Sequence, residues 1–258
     1  MSSIYYEEKG SGRAIVFLHG FCESREIWSD FVKPLTQKFR ILIPDLPGFG
    51  KSRLLATGFT IDDIADEIMK WMGDLDLKEA FVVGHSLGGY VALSLAERHP
   101  QKLTAIGLFH STVFADSDEK KENRDKVARF VRDHGVRPYV ETFVPGLFFD
   151  KSGPGVAETF RIAERTDQET LVAYLRAMRD RPDRSLWWEK SEIPKLVIAG
   201  KEDSIIPLKA TREMCSHAPY LTLFELEKTA HMGFFEAKNE SQSILTRFAE
   251  ALFPDKVD

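Results

Sequence analysis

Short apolar runs rich in Val, Ile, Leu and Phe recur at residues 14–18, 41–43, 81–83, 104–109, 195–199 and 221–226. Continuous runs of this length predict strands buried on both faces of a sheet. Between several of them the apolar residues return at helical spacing, most clearly at Ile61, Ile64, Ala65, Ile68, Trp71 and Met72. Thr60, with Asp63 three residues on, is a capping pair that opens this helix. Strand and helix alternating in this way predict an α/β fold: a mostly parallel, doubly wound sheet of about eight strands with helices on both faces.

The rhythm breaks between residues 110 and 185, where no strand-like run appears and helical segments follow one another. This predicts a helical cap at 112–185, inserted after the strand that ends near Phe109, between core segments 1–111 and 186–258. One cap helix starts at 116–119, with Val127, Phe130 and Val131 as its apolar stripe. Its Glu122/Lys126 and Asp125/Arg129 pairs read as a solvated face. Thr166 and Glu169 form a second capping pair, for a helix through Leu171, Val172, Leu175 and Met178 that stops near Arg181-Pro182.

The length of 258 residues suits one large domain with an insertion, and a net charge of -5 offers no basic face for a nucleic-acid backbone. The N-terminal residues lack the pattern of a secretory signal, and no apolar run reaches membrane-spanning length. A soluble, cytoplasmic protein with no membrane or nucleic-acid partner is expected. Cys22 and Cys215 have neither the spacing of a disulfide framework nor neighbouring His pairs at zinc spacing, so no structural metal is indicated.

Candidate chemistry begins at residues 81–89, a buried strand followed by Gly84-His85-Ser86-Leu87-Gly88 and a helix. This is a nucleophile elbow: small residues on both sides relieve crowding around an exposed serine Oγ. A serine needs a base, and a neutral imidazole held by an acid supplies one. Asp203 follows the strand ending near Ala199, and His231 follows the last strand-like run, so both reach the sheet edge that carries Ser86. Read singly, Asp203 is equally a turn residue and His231 a surface histidine; the chain order Ser, Asp, His is what joins them. Gly50-Lys51-Ser52 mimics the end of a phosphate-binding loop, but Asp45 stands where that loop needs glycine. His110 and Asp116 read as loop residues at the base of the cap, with pocket lining or a substitute acid as the other reading.

On these residues the chain resembles the α/β-hydrolase superfamily, in its serine-nucleophile branch, over nearly its whole length. The resemblance implies an oxyanion hole built from the backbone N–H groups of Phe21, in His19-Gly20-Phe21, and of Leu87. It implies structural roles for His19, His85 and the 45–52 loop. Dehalogenases and epoxide hydrolases of this fold carry a carboxylate at the elbow, so Ser86 implies acyl transfer without metal or cofactor. The tract 178–184 resembles small carboxylesterases and 3-oxoadipate enol-lactone hydrolases, while Ala230 stands where glycine commonly precedes the histidine.

The expected activity is therefore hydrolysis of a small ester or lactone through an acyl-enzyme. Carbon–carbon bond hydrolysis, perhydrolysis or a lyase reaction on the same triad is the alternative, and a non-catalytic ligand-binding role the third reading. Phe143, Leu147, Phe148, Trp187 and Phe234 either wall an apolar acyl pocket or pack the junction between cap and core.

Overall fold

In the computed structural model, which describes residues 3–56 and 58–253, seven strands form one sheet. They are β1 (Tyr6–Lys9), β2 (Ala14–Leu18), β3 (Arg40–Pro44), β4 (Ala80–His85), β5 (Leu103–Phe109), β6 (Lys195–Gly200) and β7 (Leu221–Leu226). The spatial order is β1-β3-β2-β4-β5-β6-β7; β1 runs antiparallel to β3 and the other pairings are parallel. All six apolar runs become strands. The seventh, Tyr6–Lys9, escapes the apolar pattern because it is a polar edge strand with no fully buried residue. At the opposite edge β7 alternates between partly covered and exposed positions, so it is not covered on both faces as the expectation for its run had it.

Helices α1 (Ile61–Asp74), α2 (Leu87–Arg98), α8 (Leu208–Cys215), α9 (Gly233–Glu236) and α10 (Lys238–Leu252) connect or follow the strands. Against the sheet, α2 packs on β4 and β5, and Phe248 of α10 meets Phe81 of β4 at 5.3 Å between ring centroids. The Thr60/Asp63 box closes in both directions, at 3.2 Å and 2.8 Å, satisfying two otherwise unpaired N–H groups at the start of α1. No helix among the described residues is long and apolar enough to cross a membrane.

Between β5 and β6 the described chain is helical without a strand: α3 (Asp118–His134), α4 (Val136–Phe143), α5 (Pro154–Ala163), α6 (Gln168–Arg179) and α7 (Ser185–Lys190). Two local expectations change here. Asp167, not Thr166, caps α6, because its carboxylate reaches the N–H groups of Glu169 and Thr170 at 2.8 and 3.3 Å. On α3 Val127 and Val131 face inward as expected, joined by Ala128 and Arg124, while Phe130 is exposed beside His134. The insert is tied to the sheet edge by Tyr174 Oη, which donates to the Pro47 carbonyl at 2.8 Å, and by Leu147, whose carbonyl accepts the His231 N–H at 2.9 Å. Residues 1, 2 and 254–258, at the outer ends of the two expected core segments, lie outside the described residues.

The connection order reverses between β2 and β4, which lie side by side with Leu18 opposite Gly84. At such a switch point the loops leave the two strands in opposite directions and open a crevice beyond their carboxyl ends. His19-Gly20-Phe21 leaves β2 there, and Ser86 leaves β4.

Candidate active site

Ser86 sits at φ 48° and ψ -112°, a backbone conformation that side-chain-bearing residues rarely adopt. The glycines around it are required by close approach. A Cβ on Gly84 would stand 2.2 Å from the Gly88 carbonyl oxygen, and one on Gly88 would stand 2.4 Å from that of Leu18. The strained turn is held by its neighbours: the Ser86 N–H donates to the Phe109 carbonyl at 3.0 Å, and Ser111 Oγ donates to the Ser86 carbonyl at 2.8 Å. Leu87 opens α2, so its N–H belongs to the first helical turn and has no acceptor within the helix.

Asp203 lies in the loop after β6 and is almost fully buried. Its Oδ1 accepts the N–H groups of Ile205 and Ile206, both at 2.9 Å. Its Oδ2 accepts from His231 Nδ1 at 2.8 Å and from His110 Nδ1 at 3.2 Å. Burial alone would raise this carboxyl; the His231 and His110 rings outweigh it and hold Asp203 well below the usual carboxylate range. The acid is thus ionised and directed at the imidazole. His110 joins it through a second nitrogen, for its Nε2 accepts the Gly233 N–H at 3.1 Å. Burial pushes the His110 ring down to about 4 against the pull of Asp203, and its Nδ1 also lies 3.2 Å from the Gly200 N–H.

Ser86 and His231 border one cavity of about 70 Å³, which Phe21, Leu147, Tyr139 and Arg124 also line. An outer cavity of about 340 Å³ shares Tyr90, Arg124, Tyr139, Phe143 and Ile205 with it. Of the five expected pocket residues, Phe143 and Leu147 are on the inner wall. Phe148 packs instead against the Phe235 ring at 6.1 Å. Phe234 lies in the core beneath the site, 4.7 Å from Trp28 and 4.9 Å from the His85 ring. Trp187 packs at the edge of the hydrophobic core and lines neither cavity. Aromatic content alone does not distinguish wall from core, since both bury rings.

Asp116 does not reach His231; it is committed to Arg124 and, at 2.8 Å, to Arg181. Asp45 accepts from the Arg25 side chain and from the Lys51 N–H, which occupies the 45–52 loop internally. Glu23, Tyr90, Arg124, Tyr139 and Ile205 on the inner wall were not foreseen. Arg124 sits in a charge run that reads as solvated, although its spacing of four and seven residues from Ala128 and Val131 puts it on their inward face. Glu23, bonded to His85 at 3.1 Å, has no local sequence signal. Among the described residues, His110, Asp203 and His231 are the group whose ligating atoms lie close enough for a metal, within 4.8 Å. The Nδ1 atoms of both rings are already used in bonding Asp203, so the set is arranged to hold a proton.

The elbow, the acid–imidazole pair and the switch-point crevice coincide with a match to the family profile described as alpha/beta hydrolase fold, which covers residues 13–238. The chain belongs to this family. Among alpha/beta hydrolases of known structure, it resembles a thermophilic esterase from Thermogutta terrifontis in a malate-bound form. The two are 26% identical with a TM-score of 0.92, over 96% of this chain and 93% of the other. The pimeloyl-[acyl-carrier protein] methyl ester esterase of Nitrosomonas europaea is 28% identical over 244 residues, 91% of this chain and 94% of that protein. The enol-lactonase from Burkholderia xenovorans LB400 shares the fold, with a TM-score of 0.88 at 22% identity over 95% and 96% of the two chains.

Proposed function

We propose that the protein is a serine hydrolase that cleaves a small carboxylic ester or lactone through an acyl-enzyme. The observation that carries this reading is the 2.8 Å bond from His231 Nδ1 to Asp203, with Ser86 on a strained elbow bordering the same cavity. Because Nδ1 holds the proton directed at Asp203, Nε2 is the basic nitrogen. It takes the Ser86 proton as Oγ adds to the substrate carbonyl.

The carbonyl electron pair moves onto oxygen, where the Phe21 and Leu87 N–H groups receive it. Fixed donors of this kind are worth about 3–4 kcal/mol each to the transition state. Collapse expels the alcohol, which takes the proton from His231, and leaves the acyl group on Ser86. Water then attacks with His231 again as base, releasing the acid and restoring Ser86. In a lactone the expelled alcohol remains part of the same molecule.

In this reading residues 112–185 act as a cap over the core formed by 1–111 and 186–258. They supply Arg124, Tyr139, Phe143 and Leu147 to the wall, so the insert selects the substrate while the sheet edge performs the reaction. The partner in this reading is a small molecule. The esterase names of two relatives support the ester class.

The test is release of p-nitrophenol from short-chain and medium-chain p-nitrophenyl esters by wild type and by folded Ser86→Ala. Turnover in wild type that disappears in the variant is expected. Equal turnover in both removes Ser86 from the chemistry. No turnover, together with no labelling of Ser86 by a fluorophosphonate, returns the protein to the ligand-binding reading.

A further inference from the structure

His85, the residue before the elbow serine, is fully enclosed, and both of its ring nitrogens face acceptors. Nδ1 is 3.1 Å from Glu23 Oε2, and Nε2 is 3.0 Å from the backbone carbonyl of His231. A neutral imidazole has one N–H and can satisfy one such partner; two acceptors call for two protons. Glu23 is equally enclosed, so an imidazolium here has its counter-charge in contact. Burial works against both charges, yet the attraction between the rings and carboxylate raises His85 and lowers Glu23 from their ordinary values.

The far side of each partner reaches a different piece of the proposed machinery. Glu23 Oε2 also accepts the Gly20 N–H at 2.6 Å, while the Gly20 carbonyl is held by His19 Nδ1 at 2.8 Å. These two bonds grip both sides of the residue whose carbonyl belongs to the Gly20–Phe21 peptide, the peptide that carries the Phe21 N–H. A Cβ on Gly20 would stand 2.6 Å from His85 Nδ1, so the loop lies directly on the pair. On the other side, His85 fixes the carbonyl of His231, whose N–H is already held by Leu147.

We infer that Glu23 and His85 form a buried ion pair that positions the oxyanion-hole peptide and the His231 backbone together relative to Ser86. The inference rests on the serine-hydrolase reading for its catalytic consequence, but not for the ion pair itself. Neither residue transfers a proton in the scheme; both are positioning residues. The other titratable groups around the pair are Asp203, His19, His110, His231 and Cys22, and of these Asp203 adds to the hold on the His85 proton.

Two measurements decide the matter. Nitrogen-15 histidine spectra of the wild type should show one ring that stays protonated on both nitrogens above the ordinary imidazole value. That signal should be absent in His85→Gln and should change to a neutral ring in Glu23→Gln. Kinetically, Glu23→Gln retains an acceptor for Gly20 but removes the charge. It should lower kcat by about 10–100-fold with KM within about 3-fold, because a displaced donor costs the transition state more than the ground state.

Affinity for a trifluoromethyl ketone, which Ser86 Oγ attacks to form the oxyanion adduct, should fall in parallel with kcat. A neutral His85 in wild type overturns the ion pair. Full kcat in folded Glu23→Gln overturns the positioning role, as does an equal loss in ground-state binding. If Glu23→Gln does not fold, the wild-type spectrum and the kcat and KM of His85→Gln decide in its place. Absence of ester hydrolysis together with absence of fluorophosphonate labelling of Ser86 in wild type removes the hydrolase reading and the catalytic role with it, while the spectrum still decides the pair.

Discussion

Nδ1 of His231 lies 2.8 Å from Oδ2 of Asp203, although 28 residues separate them and each leaves a different strand. In the proposed mechanism that acceptor-only oxygen fixes the tautomer that leaves Nε2 as the base for Ser86. Asp203→Asn retains shape but lets an amide donor face Nδ1. It should lower kcat by about three to four orders of magnitude with the fold intact, as read by single-turnover acylation and circular dichroism. A near-normal rate there, with a collapse in Asp116→Asn, would transfer the acid's role to the earlier loop.

His110 makes the pH response of stability asymmetric. Its folded value near 4 lies below the ordinary 6.5, so between these values the unfolded chain binds the proton that the folded chain refuses. Stability therefore falls as pH is lowered through that window, by on the order of 3 kcal/mol from this group. His19, also lowered by burial, acts in the same direction. His85 has a raised value, so its contribution is present below the ordinary value and is lost as pH rises through the folded one. His110→Gln should flatten the acid side of a plot of Tm against pH. An unchanged acid slope would exclude His110 as its source.

Arg124 brings a cation to the inner wall, and its partner Asp116 is shared with Arg181, leaving two positive groups on one carboxylate. An ester bearing a second, ionised carboxylate should therefore have a lower KM than its neutral methyl ester. Arg124→Met should erase that preference by about tenfold, the scale of one charge-assisted hydrogen bond. Equal KM values for the two substrates in wild type would remove Arg124 from recognition.

Gly200 ends β6 where the strand passes under the His231 loop; a Cβ there would stand 2.1 Å from the Ala230 carbonyl oxygen and 2.3 Å from that of Thr229. Both obstacles are backbone, so neither can rotate away. Gly200→Ala should cost about 1–3 kcal/mol in chemical denaturation and lower kcat through displacement of His231. Wild-type stability and rate together would show that the loop yields freely.

Much of this architecture is local information. Six strands are legible because each is a continuous apolar run, and α1 because its apolar period and its Thr60/Asp63 box agree. The elbow is legible because Gly84 and Gly88 are the residues its backbone approach demands. The edge strand β1 is not, since a polar segment on an open edge has no periodic burial to reveal it.

The pairing of side chains belongs to the tertiary structure. Ser86, Asp203 and His231 could be ordered along the chain from sequence, but only the parallel sheet brings the ends of their strands to one edge. His110 on Asp203 and Glu23 on His85 are contacts across 93 and 62 residues. Their residue types fit many environments, and no spacing encodes which acceptor each nitrogen meets. The same holds for the pocket, where Phe143 is wall and Phe234 is core. Hydrophobic period and glycine placement act within a few residues and can be read directly from the chain. Hydrogen-bond partners and burial of a given ring depend on packing between distant segments, which only the folded chain decides.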